Sequence, residues 1–199
     1  MTVDTPRTYP AQHRVGNRDI TLRLMNAADK PGVLAFARKL PEHDLLFLRR
    51  DITQDAAVDD WVEEIATGEI TTVLALDGSA VVGYATIQRS QLRWTSHVAE
   101  LRVLVAESMR GHGLGRVLTQ EAFANALAIG IEKMVAQMTL DQKGAIATFE
   151  GLGFRPEALL RDQVKDRDGN KHDMLVLSHD VARFESQRSA YGVTQAFGL

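Results

Sequence analysis

The sequence predicts a mixed α/β fold built as one domain, on three observations. Its 199 residues fit a single domain at the usual size of roughly 150 residues. Segments with the two-residue alternation of half-buried strands are interleaved with segments whose apolar residues recur at helical spacing. The longest helical segment follows directly on a strand and a glycine-rich turn.

Taken in order, residues 1–17 carry Pro6, Pro10 and no apolar periodicity, and read as a flexible lead-in. Residues 20–24 alternate as a strand, and 27–40 place Val33, Leu34, Ala37 and Leu40 on one helical face. Residues 55–67 form a second helical pattern through Val58, Trp61, Val62 and Ile65, with Gly68 as its stop. Asp77-Gly78 between the β-rich runs 71–76 and 81–87 marks a hairpin. A strand over 97–105 then leads through the glycine-rich turn into a helix over 114–131. On its wheel Leu114, Val117, Leu118, Ala122 and Ile129 share one arc and Phe123 and Leu127 another, which predicts cover on more than one side. A strand (133–140), a short helix (143–152), an extended segment opening at Gly153-Phe154, a turn at 167–170 and a strand (174–178) complete the domain, 18–180. Residues 181–199 read as a polar, peripheral tail.

Composition removes several classes of function. With 45% hydrophobic and 25% charged residues the chain is ordinary for a globular protein. Its net charge of −3 offers no basic field for nucleic acid or an anionic membrane. It contains no cysteine, so disulfides, thiolate metal ligands and a cysteine-linked acyl intermediate are excluded. No apolar run approaches the roughly 18 residues that span a bilayer, and the polar first sixteen residues lack the apolar stretch of a signal peptide. The expectation is a cytoplasmic protein with no membrane partner. His97, His172 and His179 lack metal-ligand spacing, and no metal is expected.

The chemistry concentrates in residues 100–116. A strand, a turn with Gly111, Gly113 and Gly115, and a helix start place main-chain N–H groups where they can converge on an anion such as a phosphate. Two common phosphate loops fail on spacing. A dinucleotide fingerprint would need glycine where Arg116 or Leu118 stands, and there is no Gly-Lys-Ser/Thr triplet.

Arg110-Gly111-His112-Gly113-Leu114-Gly115 does fit Arg/Gln-x-x-Gly-x-Gly, and here the chain resembles the GNAT superfamily of acyl-CoA-dependent N-acyltransferases. The resemblance covers roughly residues 20–178. It includes a second signature, usually Asn-x-x-Ala-x-x-x-Tyr-x-x-x-Gly-Phe, present as Gln142, Ala145, Phe149, Gly153 and Phe154. It implies a mostly antiparallel, splayed central sheet flanked by helices, with acetyl-CoA as co-substrate in the cleft between parted strands. Val103, Leu104 and Val105 would then face the pantetheine and acyl carbonyl. Arg110, Gly111, His112, Gly113, Leu114, Gly115 and Arg116 would cradle the pyrophosphate, and Gln142 would offer its amide. His112 also reads as a solvated loop side chain, the common state of loop histidines.

Some protein-lysine acetyltransferases of the superfamily place a general-base glutamate ten residues before this arginine, which is Glu100 here. Strand alternation puts Glu100, Arg102 and Leu104 on one face, so Glu100 reads either as a base for the attacking amine or as the partner of Arg102 or Arg93. Phe149 occupies the position where the family often has a tyrosine that protonates the leaving thiolate, and it cannot donate a proton. Water or Tyr84 remains as donor. Leu45-Leu46-Phe47-Leu48 reads as a wall of the acceptor entrance, and Arg49-Arg50-Asp51 as a solvated charge run.

The expectation is direct acetyl transfer to an amine, either a protein lysine or a small molecule. The alternative is a module that binds acyl-CoA without turnover. Homodimers are common among such folds, but no interface motif is legible.

Overall fold

The chain folds into eight strands: β1 (Ala11–Val15), β2 (Arg18–Leu24), β3 (Ile70–Asp77), β4 (Ala80–Arg89), β5 (Val98–Val105), β6 (Lys133–Thr139), β7 (Arg155–Lys165) and β8 (Lys171–Asp180). The helices are α1 (Lys30–Ala37), α2 (Glu42–Leu45), α3 (Asp55–Ala66), α4 (Leu114–Ala128) and α5 (Lys143–Gly151). The computed structural model describes residues 7–46 and 48–181. The strands form one sheet in the order β1-β2-β3-β4-β5-β6-β8-β7. All neighbours are antiparallel except β5 and β6.

The sheet is covered on both faces because its central strands are apolar on both. On one face Leu114, Leu118 and Ala122 of α4 meet Val73, Ala85 and Leu101. On the other, Val33 and Phe36 of α1 and Trp61 of α3 meet Leu74 and Tyr84. The Trp61 indole N–H donates to the buried Thr72 hydroxyl at 3.0 Å, so the aromatic enters the core without a stranded donor. The second arc of α4 is covered as expected: Phe123 stands edge-on to Phe154, with centroids 5.5 Å apart.

Gly83 of β4 sets the spacing between the sheet and α4. A Cβ there would lie 2.8 Å from the Leu104 carbonyl oxygen and 3.2 Å from Leu118 Cδ1. Gly83→Ala should therefore destabilise the protein by about 1–3 kcal/mol, the usual cost of overpacking. Urea unfolding checks this, and an unchanged midpoint would contradict the assigned packing.

Entry into α1 is fixed by Asn26 and Asp29. The Asn26 side chain accepts from the Ala28 N–H at 2.9 Å, and Asp29 Oδ2 accepts from the Asn26 N–H at 2.9 Å. Arg23 donates to both oxygens of Asp29, which is buried. The Arg23 guanidinium holds the Asp29 carboxyl below its ordinary value, helped by the Asn26 N–H and opposed by burial. A depressed carboxyl contributes stability that is present above its unfolded pKa and lost as pH falls through the folded one. Asp29→Asn should cost about 2 kcal/mol at pH 7, with the gap to wild type closing below about pH 4. Urea titrations at the two pH values measure it.

Three expectations need correction. Residues 11–15 of the supposed lead-in are strand β1, paired from Ala11↔Leu22 to Val15↔Arg18. Only Val15 of this strand is fully buried, so it carried no strong alternation. Val181, taken as the start of a loose tail, is buried, and its N–H donates to the Glu132 carbonyl at 2.7 Å. Arg50, taken as part of a solvated charge run, is largely covered and pairs with Glu64 of α3 at 2.5 Å. Residues 1–6, Phe47 and 182–199 lie outside the described residues.

Candidate active site

The site begins where two parallel strands part. β5 and β6 pair only through Val98↔Lys133, Ala99↔Met134 and Glu100↔Val135. β5 continues against β4 as far as Val105↔Gly83, while β6 follows β8 to Thr139↔Met174. Beyond Glu100 a cleft of about 480 Å³ opens between them, lined by residues 100–104 of β5 and 136–139 of β6. The main-chain edge of β5 facing it is available to an extended ligand, as a strand edge is to an added strand.

At the far end of β5 a 3₁₀ turn, Glu107–Met109, leads into the glycine turn, where Gly111 has φ 75° and Gly113 has φ 90°. Gly113 caps α4 in the left-handed region without a side-chain hydrogen bond. The first-turn N–H groups of α4 have no intrahelical acceptor, which with the helix dipole makes this end an anion seat. A Cβ at Gly113 would meet no protein atom within 4 Å, so the left-handed backbone requires glycine there, and internal packing does not.

The side chains of the turn are tied back to the protein. Arg110 Nε donates to the Val105 carbonyl at 3.3 Å, and its Nη2 donates to the Asp44 carboxylate of α2. His112 Nδ1 lies 2.8 Å from the Arg110 carbonyl, with the ring against Gly16 in the β1–β2 turn. Leu114 is buried under the sheet, and Gly115 packs near Val105. Arg110, His112 and Arg116 are nevertheless exposed, beside the main-chain N–H groups of the helix start.

Gln142 caps α5 and lines the cleft. Its Oε1 accepts from the Thr139 N–H at 3.3 Å, which turns the side chain toward the end of β6. Phe149 is a buried wall of the same cleft, edge-on to Phe154 at 4.9 Å. Val103 and Val105 pack toward the α4 side, and Leu104 toward α1 and α3.

Glu100 also lines the cleft, at the last paired position before the strands part, and its Oε1 accepts from Arg102 Nη2 at 2.6 Å. Both features read from the sequence, cleft position and ion pair, are thus present together. Tyr84, the candidate thiolate donor, is buried against Trp61 and Phe36. Burial pushes its hydroxyl up, while Arg102 and Arg50 pull it down. It lines a small side cavity and not the cleft.

Sequence reasoning missed α2 and the other basic residues that join Arg102 in the cleft. α2 reaches across the site through Arg110–Asp44, His43–Asp141 at 2.7 Å and Arg167–Glu42 at 2.5 Å. Arg49 and Lys165 line the cleft together with Arg102. Only the β5 alternation signalled any of this, since it placed Arg102 beside Glu100. Leu46 and Leu48 line the cleft, in keeping with the expected acceptor wall. Among the described residues no group of histidine and acidic side chains is arranged to hold a metal ion, and no helix is long and apolar enough to cross a membrane.

A splayed sheet joined to a glycine turn at a helix start is the arrangement that the resemblance to the GNAT superfamily implies. Residues 36–154 match the acetyltransferase (GNAT) family, and the chain belongs to that family. Over 84 residues it is 30% identical to a putative phosphinothricin acetyltransferase, YwnH, of Bacillus subtilis, covering 42% of this chain. The chain spans about half (51%) of that relative's length. Among solved structures it resembles a phosphinothricin acetyltransferase from Sinorhizobium meliloti in complex with AcCoA. That match has a TM-score of 0.71 and 23% identity, over 81% of this chain and 88% of that one. It also resembles a ribosomal-protein-alanine N-acetyltransferase from Brucella melitensis (TM-score 0.72, 24% identity, 80% and 98% covered).

Proposed function

We propose that this chain transfers an acetyl group from acetyl-CoA to the nitrogen of an amine by direct attack. The observation that carries the reading is the parting of β5 and β6 beside the glycine turn of α4. Main-chain groups of Val103, Leu104 and Val105 hold the pantetheine as an added strand. The N–H groups of residues 110–116 seat the pyrophosphate, and Gln142 and Phe149 bound the thioester end on the β6–α5 side. The names of the relatives differ in acceptor, phosphinothricin in one case and ribosomal-protein alanine in the other, and agree on acetyl transfer.

Glu100 acts as the base. An ordinary lysine-type amine, with a pKa near about 10.4, is almost wholly protonated at neutral pH and cannot attack until it loses that proton. A carboxylate at the cleft floor takes it, directly or through one water. The amine nitrogen bonds to the acetyl carbon and gives up its second proton to solvent, and the C–S bond breaks as the thiolate leaves. A thiol pKa near about 8.5 makes that departure easy enough for water to supply its proton, which fits Phe149 as an aromatic wall in place of an acid.

The experiment is a thiol-release assay with acetyl-CoA and a panel of amino acids, amino-acid amides, polyamines and lysine peptides, beside calorimetric titration of CoA. Amine-dependent thiol release is expected. CoA binding without turnover of any amine would favour the second reading, a module that only holds acyl-CoA, for which Phe149 is the specific motive. No CoA binding would overturn both.

A further inference from the structure

His112 of the glycine turn is exposed, yet its ring is engaged on two sides. Nδ1 lies 2.8 Å from the Arg110 carbonyl oxygen. A carbonyl only accepts, so the ring carries a proton on Nδ1 and donates it there. The Cδ2 edge lies against Gly16 in the β1–β2 turn, where an added Cβ would stand 3.1 Å from it. The hydrogen bond fixes a peptide plane. In a trans peptide the C=O and the following N–H point in opposite directions, so holding the Arg110 oxygen also sets the direction of the Gly111 N–H. Gly111, at φ 75°, has no Cβ to resist a flip of that plane, which would put a carbonyl oxygen where the N–H stands and repel an anion.

The β1–β2 hairpin that backs the ring is itself anchored to α4. Glu121 of α4 is buried, and its carboxylate accepts from the Tyr9 hydroxyl at 3.0 Å and pairs with Arg7 at 3.3 Å, with His13 Nε2 of β1 3.8 Å away. Asn125, one helical turn on, donates to the Tyr9 hydroxyl at 2.7 Å. Val15, the last residue of β1, is buried in the same apolar cluster as Leu114 and Leu118 of α4. Gly16 follows directly on that fixed point. The wall behind His112 is therefore tied to the helix whose first turn forms the anion seat.

Resting on the acetyltransferase reading, we propose that His112 is a positioning residue for the donor: braced by Gly16, its side chain holds the Arg110–Gly111 peptide in the orientation that leaves the diphosphate seat formed before CoA arrives. The imidazole acts through the turn and not by touching the ligand. The brace is complete in the free protein, so the hairpin undergoes no change when the donor binds. Its benefit is preorganisation, because no binding energy then goes into ordering the turn.

Calorimetric titration of CoA tests this, together with kcat and KM for acetyl-CoA on the amine that the panel turns over fastest. His112→Ala should raise Kd and KM about fivefold, the equivalent of one lost hydrogen bond, with kcat within about twofold of wild type. His112→Asn, whose amide can still donate to the Arg110 carbonyl, should recover part of the affinity. Gly16→Ala should raise Kd about two- to threefold, while Gly78→Ala in the β3–β4 turn should bind CoA as wild type does. The two glycines have φ of 59° and 60°, but a Cβ at Gly78 would meet no atom within 4 Å, so backbone strain cancels in the comparison and only the push on His112 remains. Because Gly16 acts through His112, the variant carrying both Gly16→Ala and His112→Ala should bind no more weakly than His112→Ala alone. Unchanged affinity in His112→Ala, or equal affinity in Gly16→Ala and Gly78→Ala, would overturn the proposal and leave acetyl transfer standing. Additive losses in the double variant would overturn it too, and would mark His112 as a direct ligand of the phosphates. A wild type that binds no CoA would remove the acetyltransferase reading as well.

Discussion

Glu100→Gln is expected to lower kcat for amine acetylation by about 10²- to 10⁴-fold, the usual contribution of a positioned general base. The glutamine keeps the size of the side chain and an acceptor oxygen for Arg102, which now donates to Glu100 Oε1 at 2.6 Å, so the strand face is preserved. What it cannot do is accept the ammonium proton. Affinity for CoA should be little altered, since the residues proposed to hold it lie farther along β5 and at the start of α4. The deficit should shrink at alkaline pH, because a growing share of the amine is then already free of its proton. Steady-state rates from pH 6 to 10, with calorimetric CoA titration of both proteins, provide the check. Equal rates for variant and wild type would remove Glu100 from the reaction and leave it as the partner of Arg102.

Gly113→Ala should weaken CoA binding by about 10- to 100-fold. The residue sits at φ 90°, and an L side chain in the left-handed region costs roughly 1–2 kcal/mol. The added methyl would meet no protein atom within 4 Å, so damage to internal packing is not the cause. The methyl would stand at the helix start where the pyrophosphate must approach the main chain. Calorimetry should show the loss in affinity, with a melting temperature for the free protein lowered by only a few degrees. Unchanged affinity would mean that the diphosphate is seated elsewhere.

How much of this was legible in the sequence depends on how local each signal was. β3 and β4 are apolar, β-rich runs on either side of Asp77-Gly78, β5 is a third such segment, and the glycines at 111, 113 and 115 mark the turn, so the frame of the cleft could be read directly. β1 was hidden because Ala-Gln-His-Arg-Val offers only Val15 as a fully buried apolar residue. α2 is four residues long, too short for a periodic pattern, and acts through partners such as Arg110, 66 positions away. Strand alternation placed Glu100 beside Arg102, but it could not reveal that Arg49 and Arg50 fold over the same face. Tyr84 was correctly placed on a neighbouring strand. Its burial against Phe36 and Trp61 follows from tertiary packing of α1 and α3, which no local pattern records.

Amide hydrogen exchange, followed residue by residue with and without CoA, examines most directly whether main-chain groups on either side of the gap hold the thioester donor. Slowed exchange is predicted at the cleft-facing amides of residues 101–105 and at 111–116, with α1 and the β1–β2 hairpin unaffected. Protection confined to other parts of the sheet, or none at the glycine turn while CoA is demonstrably bound, would contradict it.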